Sequence, residues 1–321
     1  MLGMMNPMDI LPSDCPDLSI VIGVIAGGFE PMRECLTALQ PGIGAYRVEC
    51  LVPYDGRLTG VAELQKSFPW VEFIDVRDRV DHLKFGNSSR EHHDILRAIG
   101  LGRARGKLVA LLEDHGTPAP GWCKAMVEAH KGPWAGVGGA VENGVDKLLN
   151  WAVYFCDFGR YQSPLPDGPS QFMSDSNCSY KREVLESVAD HWRDAFHETL
   201  VNWDICARGN QLRLDPGMTV YQTRRSLRFG PALYERYVWG RSFAGTRCAG
   251  ISTGKRLILA ALSFLLPPML TWRIFSRGIR KKRHTQKLLL ALPLIFMLQM
   301  FWAWGEFVGY VTGRAAPTTT T

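Results

Sequence analysis

The chain has 321 residues, 46% of them hydrophobic and 21% charged, with a formal net charge of +6. This composition excludes a disordered chain and allows one large or two small folded domains, while mild basicity alone does not separate nucleic acid, anionic lipid and phosphorylated substrates as partners. The eight cysteines are scattered without a CxxC pair, which excludes a zinc ribbon or a small disulfide framework and predicts reduced thiols.

The first 17 residues lack a basic segment followed by a long apolar one and read as a tail, not a signal peptide. LSIVIGVIA, from Leu18, is a continuous β-branched apolar run of the kind that forms a strand buried on both faces. A Gly27-Gly28 turn and helical PMRECLTAL follow. The turn lacks the GxGxxG pattern, which argues against a dinucleotide-binding oxidoreductase. YRVECLVPYDG predicts a second strand ending at Asp55, VAELQKSF a helix, and VEFIDV a third strand. SSREHHDILRAIGLGRARG predicts a longer helix closed by Gly106, and KLVALLEDH a fourth strand. Strands and helices in alternation imply a mostly parallel α/β sheet with helices on both faces. Ligands of such sheets sit beyond the carboxyl ends of the strands, where Asp55 and Glu113-Asp114-His115 fall.

After Trp122 the pattern is less regular. WCKAMVEAHKG predicts a helix, AGVGGAVEN a strand, and LLNWAVYFCDFGRY an aromatic helix. SDSNCSYKREVLESV starts irregular and turns helical at Lys181, and FHETLVNWDICARGN is a further helix closed near Gly209. The adjacent histidines of Glu91-His92-His93-Asp94 diverge on a helix and do not make a zinc site. HETLV is not HExxH, and Asn177-Cys178-Ser179 is a sequon without meaning in a cytoplasmic domain.

Residues 223–256 form a basic aromatic segment with one acid, Glu235, and two apolar stretches follow, 257–272 and 288–311. The second reaches roughly 35 Å as a helix, enough for a bilayer core of about 30 Å, whereas the first, with Pro267-Pro268, reaches about 24 Å. The intervening Arg273–Lys287 carries seven Lys/Arg and no acid, which places it in the cytoplasm by the positive-inside rule. The preceding domain belongs on the same side. These demands agree if 257–272 is re-entrant or interfacial and 288–311 spans; a two-span hairpin is the alternative. Residues 312–321 read as a tail. Positive charge gathered beside apolar segments, without a nucleic-acid module, points to a membrane and not to nucleic acid.

The run ARGKLVALLEDHGTPAPGW (104–122) resembles the strand, acidic turn and Pro-x-Trp segment of family 2 glycosyltransferases, which have the GT-A fold. LSIVIGVIAG is similar to that family's first strand, CLVPYDG to its second, and Arg97-Ala98-Ile99-Gly100 to its Arg-Asn-x-Gly, sixteen residues before Glu113. SNCSYKREVLE and HETLVNWDICARGNQLRLDP are similar to its acceptor-side segments, so that the resemblance covers residues 18–222, with a nucleotide-sugar half (18–116) and an acceptor half (117–222).

The resemblance implies a transferase that moves a sugar from a nucleotide-diphosphate-sugar with inversion, using Mg2+ or Mn2+. Glu113, Asp114 and His115 occupy the metal-binding segment, with a histidine where acids are common. Asp55 would contact the nucleobase or ribose, and Arg97 and Asp114 would help hold the nucleotide. Glu198 is the candidate general base, with Asp204 as runner-up, since a carboxylate is needed beside the acceptor hydroxyl. Arg241 or Arg247 would reach a diphosphate, to which a guanidinium fork is suited. The apolar C-terminus implies a lipid-linked or polysaccharide acceptor presented at an inner membrane, with the catalytic domain on its cytoplasmic side. A GT-A-like subunit that binds a nucleotide or a partner without catalysis is the alternative.

Overall fold

The computed structural model describes residues 15–80, 90–248 and 250–315. Most of the expected N-terminal tail, the expected helix start at Ser88-Ser89 and residues 316–321 lie outside the described residues. The first half runs β1 (Leu18–Gly23), α1 (Phe29–Ile43), β2 (Val48–Tyr54), α2 (Val61–Ser67), β3 (Val71–Asp75), α3 (Arg77–Val80), α4 (Arg90–Arg103), β4 (Leu108–Glu113) and β5 (Gly116–Pro118). It continues through α5 (Trp122–His130), β6 (Gly136–Asn143), α6 (Leu148–Asp157), β7 (Gly168–Ser170), β8 (Asn177–Lys181), α7 (Arg182–Ser187), α8 (Glu198–Ala207) and β9 (Leu212–Gln222). The C-terminal part is helical: α9 (Phe229–Cys248), α10 (Thr253–Leu262), α11 (Leu266–Lys281) and α12 (Thr285–Thr312).

The described strands form one mixed sheet in the order β3-β2-β1-β4-β8-β6-β9-β5, with β7 on β9. β1, β2, β3 and β4 pair in parallel, as the unbroken apolar runs require. All six residues of β1 are buried, and its register sets Gly23 opposite Glu113, so the strand ends that carry the acids lie level. The α/β class expected from the alternating pattern is the class observed.

Two strands differ from expectation. Asn177–Lys181 is a strand, where an irregular segment was expected, and it joins β4 to β6 through antiparallel pairings. Leu212–Gln222 is an eleven-residue strand parallel to β6, with a register shift at Gly139/Ala140. Only glycine fits at 139, because a Cβ there would lie 1.8 Å from the Met218 carbonyl oxygen.

The C-terminal helices also differ. α10, a 3-10 turn at Ser263–Leu265 and α11 run on as one helical segment, Thr253–Lys281, so residues 257–272 are not a separate short element. Pro267 and Pro268 sit in the first turn of α11, where the missing N–H costs no helical bond. The basic stretch 273–281 is the end of this helix, and the connection shrinks to Lys282–His284, with positive φ at Lys282 (52°) and His284 (54°). Both Thr253–Lys281 and Thr285–Thr312 are long and apolar enough to cross a membrane. Their large exposed side chains include Leu257, Ile258, Phe264, Trp272, Leu290 and Trp304.

α12 is also built into the protein. A Cβ on Gly305 would lie 2.1 Å from the Tyr237 carbonyl oxygen, one on Gly240 2.2 Å from that of Trp302, and one on Gly309 2.6 Å from that of Arg241. Glycines on both helices thus let the α9 and α12 backbones approach closely, as small residues do at helix contacts in membranes.

Candidate active site

A cavity of about 720 Å³ opens where the carboxyl end of β4, the start of α8 and helices α6, α9, α11 and α12 meet. Glu113, His115, Arg97 and Glu198 all line it, and so does Arg247. Asp55, Asp114 and Arg241 do not.

The neighbours Glu113 and Asp114 part company because successive side chains at a strand end point to opposite sides. Glu113 faces the cavity: Oε1 accepts from Arg97 Nη2 at 2.9 Å and Oε2 from Gln222 Nε2 at 3.0 Å. Burial pushes its carboxyl above the usual range, against the pull of His115 and Arg97. Asp114 is fully buried and turns to the loop after β1, where it accepts the backbone N–H groups of Ile25 (3.1 Å), Ala26 (3.0 Å) and Gly27 (2.7 Å). Gly27, at φ 69°, is the residue that can turn there at no steric cost. Burial opposes the Asp114 charge, but His115 and the amides outweigh it and keep the carboxyl below its ordinary value.

His115 joins the two. Its Nδ1 lies 3.0 Å from Asp114 Oδ1 and its Nε2 3.5 Å from Glu113 Oε2. A proton on Nδ1, donated to Asp114, leaves the Nε2 lone pair on the cavity side. Thr223 fixes the backbone, donating from its N–H (2.8 Å) and hydroxyl (2.9 Å) to the His115 carbonyl.

Arg97 is the hub of the sheet side. The guanidinium is 3% exposed and reaches Asp94 at 3.3 Å, Glu113 at 2.9 Å and Asp175 at 3.2 Å. Burial disfavours its charge, and Asp175, Glu113, Asp94 and Glu198 together more than restore it. Asp175 was not singled out from sequence; it lies just before β8 in the stretch read as irregular, and no motif marks it. Its N–H donates to Glu198 Oε2 at 3.4 Å, and both residues line the cavity. Glu198 is the first residue of α8, where the helix end favours negative charge. Asp204 instead pairs with Arg208 (3.0 Å) and His191 (3.3 Å) and does not line the cavity.

Asp55 is buried at the end of β2 and paired with His92 (2.5 Å) and Arg57 (3.0 Å). Burial opposes its ionisation, but these two partners hold its carboxyl well below the usual carboxylate range. His92 is therefore a partner of Asp55, and His93, whose Nε2 is 3.1 Å from Arg57 Nη1, lines the cavity. Arg241 only approaches Tyr237 (3.4 Å), whereas Arg247 donates to the Tyr310 hydroxyl at 3.0 Å.

Among the described residues no group of three His, Cys, Asp or Glu converges as a ready metal site. With Asp114 committed to backbone amides, the expected triplet reduces to two donors, Glu113 Oε2 and His115 Nε2. Two protein donors, completed by phosphate oxygens and water, are what a cation in a nucleotide site commonly uses, and an imidazole suits Mn2+ better than Mg2+. The residues present fit a divalent cation in that form.

No family model matches the chain, and no curated protein matches it either. Among solved structures it is similar to a mannosyltransferase from Pyrobaculum calidifontis in complex with GDP-Man and Mn2+, with 13% identity and a TM-score of 0.47 over 94% of this chain and 87% of that one. It is also similar to glucosyl-3-phosphoglycerate synthase from Mycobacterium tuberculosis, with 14% identity and a TM-score of 0.46 over 70% of this chain and 78% of that one. At such identities few side chains are shared.

Proposed function

We propose that the protein is an inverting, metal-dependent glycosyltransferase of GT-A type and family 2 character, moving a hexose from a nucleotide-diphosphate-sugar to an acceptor presented at the membrane. One observation carries this reading: a single cavity holds a carboxylate–imidazole pair at the strand ends, a carboxylate at the α8 N-terminus, and the walls of two long apolar helices.

A divalent cation held by Glu113 and His115 would neutralise charge on the departing diphosphate. Asp114 fixes the His115 ring and the loop after β1, and so acts as a positioning residue. Arg97 holds Glu113 and Asp175 in place. Glu198 is suited to take the proton of an acceptor hydroxyl. The acceptor is a lipid-linked molecule or a growing polysaccharide, and the catalytic domain faces the cytoplasm at the inner membrane. Incorporation of label from a panel of nucleotide sugars into membrane lipid and polymer, by the wild type and Glu198→Gln, tests this. Transfer by the wild type and its loss in the variant are expected; equal transfer by both removes Glu198 as the base, and no transfer by the wild type from any donor removes the transferase reading.

The reading as a subunit that binds nucleotide without transferring sugar draws on one finding, the reduction of the expected metal triplet to two donors. Nucleotide binding with no transfer or donor hydrolysis, across metals and acceptors, would favour it.

A further inference from the structure

The charges on the cavity wall are not evenly matched. Arg97 meets three acids, Arg224 pairs with Glu235 at 3.0 Å, and Arg236 pairs with Asp157 at 2.5 Å. Arg160, Arg273 and Arg277 also line the cavity, yet among the described residues none of the three has an ion pair; Arg160 lies over the Phe172 ring at 4.2 Å. Arg160, Arg273 and the neighbouring Arg280 all stand near enough to repel Arg277. Tyr161, next to Arg160 in sequence, and the candidate base Glu198 line the same cavity.

Residues 273 and 277 are one turn apart on α11, and the same face continues through Leu270, Met269 and Leu266, all on the cavity wall. Along one helix the wall therefore passes from guanidinium to hydrocarbon. Three like charges without a counter-ion repel one another, and guanidinium forks match phosphate oxygens.

We propose that Arg160, Arg273 and Arg277 bind the phosphate group of an amphiphilic acceptor whose hydrocarbon chain runs along Leu266, Met269 and Leu270. The proposal rests on the transferase reading for the word acceptor, but the binding itself does not require transfer.

The test is equilibrium binding to the detergent-solubilised full chain, without nucleotide or metal. The probes are a long-chain isoprenyl monophosphate, the uncharged alcohol of the same chain, and inorganic phosphate. The isoprenyl phosphate is expected to bind at least about tenfold more tightly than the alcohol, and to lose about tenfold for each of Arg273→Gln and Arg277→Gln. Lys255→Gln, exposed on α10 and away from the cavity wall, serves as the control and should leave binding unchanged. Equal binding of phosphate and alcohol, or no loss in either variant, overturns the phosphate site. Inorganic phosphate binding as tightly as the isoprenyl phosphate overturns the amphiphile. Phosphate-selective binding in a protein that transfers no sugar upholds the site while removing the transferase reading.

Discussion

The two sides of the cavity solve opposite electrostatic problems. On the sheet side, every buried ionic group described above is matched: Arg97 meets Asp94, Glu113 and Asp175, Asp114 meets amides and His115, and Asp55 meets His92 and Arg57. On the α11 side, Arg273 and Arg277 face the cavity without an acid. The first arrangement is complete before a ligand arrives and suits the fixed geometry of a reacting centre; the second is left positive and suits an incoming anion.

The comparison breaks most visibly if Arg97 is removed. Arg97→Leu removes the buried cation shared by Asp94, Glu113 and Asp175, so a loss of about 3–5 kcal/mol is expected, read as a large fall in the denaturation midpoint. A fall no larger than that of Lys255→Gln would show that the sheet side is not held by its charges. Glu198→Gln keeps the shape of the wall and removes a proton acceptor. Transfer should drop about 10²–10⁴-fold with little change in stability. Unchanged transfer would move the base elsewhere, and Asp175 is the neighbour to change next.

Gly305→Ala tests the close packing of α12 on α9. Its new methyl would meet the Tyr237 carbonyl, and overpacking of this kind costs about 1–3 kcal/mol. A lower midpoint is expected, and an unaltered one would mean that α9 and α12 separate easily. The smallest effect concerns His130, buried on the sheet side with no acid paired to it among the described residues and bonded to Ser179 at 2.9 Å. Burial first, and Lys181 second, push its pKa down from 6.5 to about 4. Below pH 6.5 the unfolded chain takes up a proton that the folded one refuses, so stability present above that pH is lost progressively toward pH 4. His130→Gln should flatten the midpoint-versus-pH curve in this window while changing little at neutral pH.

Much of the sheet side was legible because parallel strands buried on both faces leave unbroken apolar runs; β4 ends with its run, whereas β1 stops at Gly23, three residues before its run does. The acids at the rim could be located, but their directions could not. That Asp114 turns away from Glu113 depends on three amides of a loop 87 to 89 residues earlier in sequence. Asp175 was missed because its neighbour β8 is short and polar at both ends, and burial of its backbone comes from β4 and β6 on either side. The helix through Pro267 was misjudged for a local reason: proline stops a helix in its interior but not in its first turn. The arginines of α11 were read as part of a cytoplasmic loop, and only the fold shows that two of them line the cavity.

The most direct measurement is calorimetric titration of the full chain with a panel of nucleoside diphosphates, in Mn2+ and in chelator, for the wild type and His115→Ala. Binding of at least one nucleotide that requires Mn2+ and weakens in His115→Ala is the predicted result. Binding of none, or binding indifferent to both metal and His115, would contradict a nucleotide-sugar site at the end of β4.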